Sequence, residues 1–76
     1  MTNIYFGRIT DVLPSRVMML IPSDKGSAPI LRGFDKEPMV DVIDLRVGNV
    51  VKITIETIPG QVTIQYEPAN RRDYNE

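Results

Sequence analysis

Apolar and polar residues alternate over residues 50–66, on both sides of a Pro59-Gly60 dipeptide. This period of two predicts strands with one buried and one solvated face, and Pro-Gly is typical of the turn between two strands. We therefore expect a β-hairpin here. The side chains expected to point into the core are Val51, Ile53, Ile55, Val62, Ile64 and Tyr66. Those expected to point to solvent are Lys52, Thr54, Glu56, Gln61, Thr63 and Gln65.

A first strand is predicted over residues 3–12, with a change of phase in its middle. Ile4 and Phe6 share one face, but the next apolar residue, Ile9, follows three positions after Phe6. A bulge or sharp bend at Gly7 would bring all three side chains to the core. Such a strand is suited to be shared by the two halves of a small barrel.

The second strand, predicted over residues 16–22, is apolar on both faces. Val17, Met19 and Ile21 share one face, and Met18 and Leu20 share the other. Either the strand is covered on both sides, or Met18 and Leu20 form an exposed apolar patch. The polar residues 23–27 predict a hairpin loop, and residues 28–34 predict a third strand, which Pro29 places at a sheet edge.

The remaining segments have weaker patterns. Residues 35–39 are predicted as a loop, and residues 40–45 fit either a short helical turn or a short strand, since periodicity over six residues decides little. We expect one barrel domain over residues 1–67. The polar residues 68–76 predict a flexible tail that either aids solubility or becomes ordered on a partner through Arg71, Arg72 and Tyr74.

Composition excludes several kinds of site. The 76 residues include no cysteine and no histidine, so the usual ligands of zinc and haem and the commonest acid/base residue are missing. We expect no metal, no cofactor and no enzymatic activity. The net charge of −1 gives no overall attraction to phosphate, so any nucleic-acid binding has to be local. The longest apolar run is strand-sized and the N-terminus has no signal-peptide pattern, which together predict a cytoplasmic protein.

Five short strands with a longer connection after the third are the arrangement of the OB-fold, a Greek-key barrel. Gly7-Arg8-Ile9-Thr10-Asp11-Val12-Leu13-Pro14-Ser15 resembles the first strand and turn of bacterial translation initiation factor one. Leu45-Arg46-Val47-Gly48-Asn49-Val50-Val51 is similar to that family's entry to its fourth strand. The resemblance implies an all-β, five-stranded OB-type Greek-key barrel with a short helical or irregular connection between strands 3 and 4.

The chain also departs from the pattern of that family. Met18 stands where the family has an aromatic residue, residues 36–39 replace a basic segment, and Gln61 and Gln65 replace two arginines. The resemblance therefore implies the fold and not shared ribosome binding. Residues 50–70 are also similar in pattern to the carbon storage regulator family of RNA-binding dimers.

The expected function is non-catalytic binding of single-stranded RNA or DNA. OB-type barrels bind oligonucleotides through strands 2 and 3 and the flanking loops, where aromatic side chains stack on bases and cations contact phosphates. The candidate binding residues are Arg8, Arg16, Met18, Arg32, Phe34, Lys36 and Lys52. Alternatively, the cationic strand residues are ordinary solvent-facing side chains, namely Arg8, Arg32 and Lys52. For Phe34 the commoner role of such a residue is to fill one end of the barrel, and this role is favoured over nucleic-acid binding.

The alternative function is that of a protein-interaction module that docks on a larger assembly such as a ribosome or an RNA polymerase. Met18 and Leu20 are the candidate contacts, because methionine adapts to irregular partner surfaces. An open edge strand would also allow a second copy of the chain to bind.

Overall fold

The computed structural model describes residues 1–22 and 28–74, and it contains one five-stranded antiparallel sheet. The predicted loop at 23–27 lies outside the described residues. The strands are β1 (Thr2–Val12), β2 (Arg16–Ile21), β3 (Ile30–Asp35), β4 (Val50–Ile58) and β5 (Gln61–Ala69). A short 3₁₀ turn, Glu37–Met39, lies between β3 and β4, and a four-residue helix, α1 (Arg71–Tyr74), follows β5.

The spatial order of the strands is β3-β2-β1-β4-β5. Three consecutive strands pair in sequence, and β4 returns by a long connection to pair with the other side of β1. This is the Greek-key order. The all-β prediction is thus confirmed, and β3 and β5 form the two edges of the described sheet.

The core lies on one side of this sheet, which we call the inner face; the opposite side is the outer face. Residues directly opposed in an antiparallel ladder point to the same face. Val17 and Met19 of β2 are fully buried on the inner face, with Ile9 of β1 opposite Met19. Val51 and Ile53 of β4 are buried beside them. The alternation predicted for β2 and for the first half of the hairpin is therefore confirmed.

The irregularity in β1 lies at Thr10, and its predicted position at Gly7 was wrong. The register with β2 shifts between Ile9 and Asp11, and the Thr10 hydroxyl donates a hydrogen bond to the Met18 carbonyl over 3.3 Å. Gly7 itself pairs regularly with Val51. Consequently Ile4 and Phe6 lie on the outer face, and not in the core with Ile9.

The connection before β4 folds as a series of turns that covers one end of the core. The Ile43 N–H donates to the Met39 carbonyl over 2.9 Å, a helical spacing that continues for only one turn. Both side chains are buried in the core cluster. This segment therefore has the short helical or irregular form that was predicted, with no strand at 40–45.

Side chains of the two edge strands meet on the inner face. Phe34 of β3 and Tyr66 of β5 form an edge-to-face pair with ring centroids 6.2 Å apart and an interplanar angle of 80°. Burial raises the pKa of Tyr66, and the negative charge of Asp35 on β3 raises it further. Contact between side chains of the first and last strands of the sheet is consistent with the twist of an antiparallel sheet.

The chain beyond residue 67, which we predicted as tail, begins as regular structure. β5 continues to Ala69, and α1 follows. The Asn70 N–H donates to a carboxylate oxygen of Asp73 over 3.1 Å, and the Asp73 N–H donates to the Asn70 carbonyl over 3.0 Å. These reciprocal bonds fix the turn that starts the helix; the first is the bond by which the third helical residue closes a capping box, and the second is a backbone turn bond. Within the described residues no helix has the length and apolar character needed to cross a membrane.

Candidate nucleic-acid interface

The strand register divides the predicted binding residues between the two faces. Arg32 is opposite Met19 and Phe34 is opposite Val17, so both lie on the inner face. Lys36 lies beyond the end of β3. The four that lie on the outer face are Arg8, Arg16, Met18 and Lys52. The seven predicted binding residues therefore do not form one continuous strip.

Lys36 lines a recess of about 680 Å³ between the β1–β2 turn and the 3₁₀ turn. Its backbone N–H donates to the Ser15 carbonyl over 3.1 Å, which joins the two turns. Asp35 and Glu37 line the same recess. Two carboxylates beside one ammonium group make this recess unfavourable for phosphate.

Lys52 lines a second recess, of about 460 Å³, near the end of β5. Glu67 is directly opposite Lys52 in the β4–β5 ladder, and Asp73 also lines the recess. Negative charge again exceeds positive charge, so Lys52 alone does not make this a site for an anion.

Arg16 and Met18 lie on the outer face of β2, opposite Asp35 and Gly33 respectively. Arg16 is exposed, and Asp35 across the ladder offsets its charge. Met18 is half-buried, and its sulfur lies 3.1 Å from the position that a Cβ atom on Gly33 would occupy. The thioether therefore occupies the space above Gly33.

Arg8 has different surroundings, because its cross-strand neighbours are the apolar residues Leu20 and Val50. Its guanidinium carbon lies 5.6 Å from the centroid of the Tyr74 ring, within the range of a cation–π interaction. A recess of about 310 Å³ adjoins this pair. The residues that line the recess are Arg8, Gly48, Val50, Arg71 and Tyr74.

Among the described residues, this recess, which we call the Arg8 recess, is lined by two arginines and by no acidic residue. Within residues 1–22 and 28–74 the one salt bridge joins Arg46 to Asp44 over 3.2 Å, on the exposed connection before β4. Neither Arg8 nor Arg71 thus has a carboxylate within 4.0 Å among the described residues. The same residues contain no group of three or more acidic side chains arranged to hold a metal ion.

Arg71 and Tyr74 were predicted to lie in a tail that either aids solubility or becomes ordered on a partner, and the structure brings both of them to Arg8. The sequence contains a signal for the helical turn that carries them: Asn70 and Asp73 have the spacing of a helix N-cap and the third residue of the helix. That pattern predicts a helical turn, but it does not predict the surface on which the turn packs.

Comparison with known proteins gave no match: no protein-family model, no curated protein and no solved structure is significantly similar to this chain.

Proposed function

We propose that this protein is an OB-type barrel that binds single-stranded RNA or DNA in the cytoplasm and catalyses no reaction. The Greek-key strand order and the contact between the edge strands through Phe34 and Tyr66 support a barrel that is closed by side chains between β3 and β5. The resemblance of residues 7–15 and 45–51 to translation initiation factor one supports the same fold. The binding surface in this proposal is the outer face.

The observation that carries the proposal is the position of Arg8. It lies on the central strand β1, with an aromatic ring over its guanidinium and a second arginine in the same recess. Cations contact phosphates and aromatic rings stack on bases in proteins that bind single strands. Arg16 on β2 and Lys52 on β4 extend the cationic positions across neighbouring strands of the same face.

The small net charge of −1 limits the long-range attraction to a polyanion. Binding therefore depends on local contacts, and we expect a modest affinity that salt weakens strongly. Asp35 lies opposite Arg16, and Glu67 lies opposite Lys52, so a carboxylate offsets each of these two positive charges. We therefore expect Arg8 to make the strongest single contact with the strand.

Charge reversal on each face tests the assignment of the surface. Arg8→Glu should weaken the binding of a labelled poly-pyrimidine oligonucleotide, measured by fluorescence anisotropy at low salt. Arg32→Glu is the matched control, because Arg32 is an exposed strand arginine on the inner face. Equal losses in the two variants would reject the outer face as the binding surface.

A second candidate function, docking on a protein assembly, is favoured by apolar side chains that the inner face leaves exposed. Ile30, Val62 and Ile64 are 56%, 61% and 44% exposed. The hairpin thus extends beyond the core that its base covers.

Val62→Asp should abolish capture by such an assembly and leave oligonucleotide binding intact. Met18→Asp makes the same test for the half-buried apolar residues Met18 and Leu20 on the outer face.

A further inference from the structure

The two arginines of the Arg8 recess come from distant parts of the chain. Arg8 is on β1, and Arg71 is the first residue of α1. Two guanidinium groups are always charged at physiological pH, so placing them in one recess costs electrostatic energy in the absence of an anion. A bound anion between them converts this repulsion into attraction.

Gly48 lies beside the Arg71 guanidinium at the edge of the recess. Gly48 has a φ of 98°, a conformation that favours glycine, and the Arg71 Nη2 atom lies 3.8 Å from the position of a Cβ atom there. A Cβ atom there would make only an ordinary van der Waals contact with the guanidinium, so the positive φ and not a lack of space is the reason for glycine. Val50, which is 4% exposed, forms an apolar wall of the recess, and contact with apolar surface strengthens local electrostatic interactions.

Tyr74 holds Arg8 from the side of the helix. Its ring lies over the Arg8 guanidinium, and α1, which carries the ring, is fixed by the reciprocal hydrogen bonds between Asn70 and Asp73. Cation–π contact restricts a long side chain that otherwise samples many rotamers. The Arg8 guanidinium is thereby oriented before any ligand binds.

We propose that the Arg8 recess binds one phosphate group of the nucleic-acid strand, with Arg8 and Arg71 sharing that phosphate and Tyr74 acting as a positioning residue for Arg8. The planar fork of arginine matches the geometry of phosphate oxygens, which favours a phosphate over a halide or other small anion. The inference rests on the proposed function and adds to it a defined phosphate site that requires the C-terminal helix.

Neighbouring arginines of α1 provide a matched pair for the test. Arg71→Gln should weaken binding of a labelled poly-pyrimidine oligonucleotide about tenfold, the effect of losing a charge-assisted hydrogen bond. Arg72→Gln removes the same charge from the same helix, but Arg72 does not line the recess. It should change the affinity less than about twofold, because only long-range attraction is removed.

The salt dependence shows whether the two arginines share a phosphate. On a single strand, each phosphate that the protein neutralises contributes about 0.7 to the steepness of the fall of log K with log salt. The double variant Arg8→Gln with Arg71→Gln should reduce this steepness by about 0.7 in total, the contribution of one phosphate. A reduction of about 1.4 would mean two separate phosphates and would overturn the shared site.

Tyr74 is tested by two substitutions. Tyr74→Phe keeps the ring and should retain wild-type affinity, whereas Tyr74→Leu should weaken binding about as much as Arg8→Gln, since the ring acts through Arg8. Thermal unfolding of each variant checks that the fold is retained. Equal binding by Tyr74→Phe and Tyr74→Leu would overturn the positioning role.

The source of the phosphate is distinguished with oligonucleotides that carry or lack a 5′ phosphate. Equal affinity of the two supports a backbone phosphodiester, and a preference that Arg71→Gln removes supports a terminal phosphate. One combination of results would separate the two proposals: the wild type binds, Arg8→Glu weakens binding, and Arg71→Gln has no larger effect than Arg72→Gln. In that case the shared phosphate site is wrong, and the proposed function stands. If the wild type binds no oligonucleotide, both fall.

Discussion

Two glycines on opposite faces of the sheet illustrate how single residues constrain this fold. A Cβ atom on Gly7 would lie 3.0 Å from the Met19 sulfur and 3.1 Å from the Met19 Cβ atom, inside the core. A Cβ atom on Gly33 would instead meet the flexible end of the half-buried Met18 side chain, with its sulfur at 3.1 Å. The contact at Gly7 cannot be relieved by rotating a side chain alone, because Met19 Cβ is fixed to the backbone.

Substituting these glycines should therefore have unequal effects. Gly7→Ala should lower the free energy of unfolding by about 1–3 kcal/mol, the usual cost of overpacking a core. Gly33→Ala should change it by less than about 1 kcal/mol, because Met18 can move toward solvent and alanine is better suited than glycine to a strand interior. Urea denaturation measures both. Equal destabilisation by the two substitutions would contradict the packing described around Gly7.

Tyr66 should make stability depend on pH in the alkaline range. Burial, with the charge of Asp35, raises its pKa above the usual value of 10.0. Above that value the tyrosine ionises in the unfolded chain while it stays protonated in the folded one, so the unfolded state binds fewer protons and stability falls. The contribution is complete below pH 10.0 and is lost as the pH rises through the raised pKa.

The comparison with Tyr66→Phe isolates this effect. Between about pH 9 and pH 11 the free energy of unfolding of the wild type should decrease more than that of the variant, which has no phenol to ionise. Parallel pH profiles for the two proteins would show that the Tyr66 hydroxyl is not protected by folding.

The connection between β3 and β4 is an element whose role was not evident from its pattern. Met39 is fully buried and Ile43 is 7% exposed, although the segment contains Glu37, Asp41 and Asp44. Its two buried side chains complete the core at one end of the sheet. A short acidic connection thus acts as a structural cover.

Truncation of this cover should have a large effect on stability. Met39→Ala should reduce the free energy of unfolding by about 2–5 kcal/mol, which for so small a domain is a large part of the total. Val42→Ala, three residues later and 52% exposed, should cost less than about 0.5 kcal/mol. If thermal or urea denaturation shows equal losses, the connection does not cover the core.

Element positions could be predicted from alternation wherever one strand face is buried. This condition holds for β2 and for the base of the hairpin, so Val17, Met19 and Val51 were placed correctly. It did not locate the bulge in β1, because the change of phase between Phe6 and Ile9 reflects an apolar residue, Phe6, on the outer face of a regular ladder, whereas the register shifts only after Ile9. The Thr10 hydroxyl bond to Met18 that accompanies the bulge is a tertiary feature.

At the scale of the whole molecule, the register decides which charges lie together. Sequence alone identified seven candidate contacts, but not that Arg32 lies on the inner face; for Phe34 the inward alternative was the likelier one, and the ring packs against the core. Nor did it show that Arg16 and Lys52 have carboxylates across the ladder. Those facts depend on the pairing of strands far apart in the chain. The docking of α1 beside Arg8 depends on tertiary packing in the same way.

The central claim is that this slightly acidic protein binds a single nucleic-acid strand through local cationic contacts. The most direct measurement is a fluorescence-anisotropy titration of labelled poly-pyrimidine RNA and DNA with the unmodified chain at several salt concentrations. The account predicts saturable binding at low salt, with log K falling by about 0.7 per contacted phosphate as log salt rises. Absence of saturable binding at low salt, where screening is weakest, would contradict it.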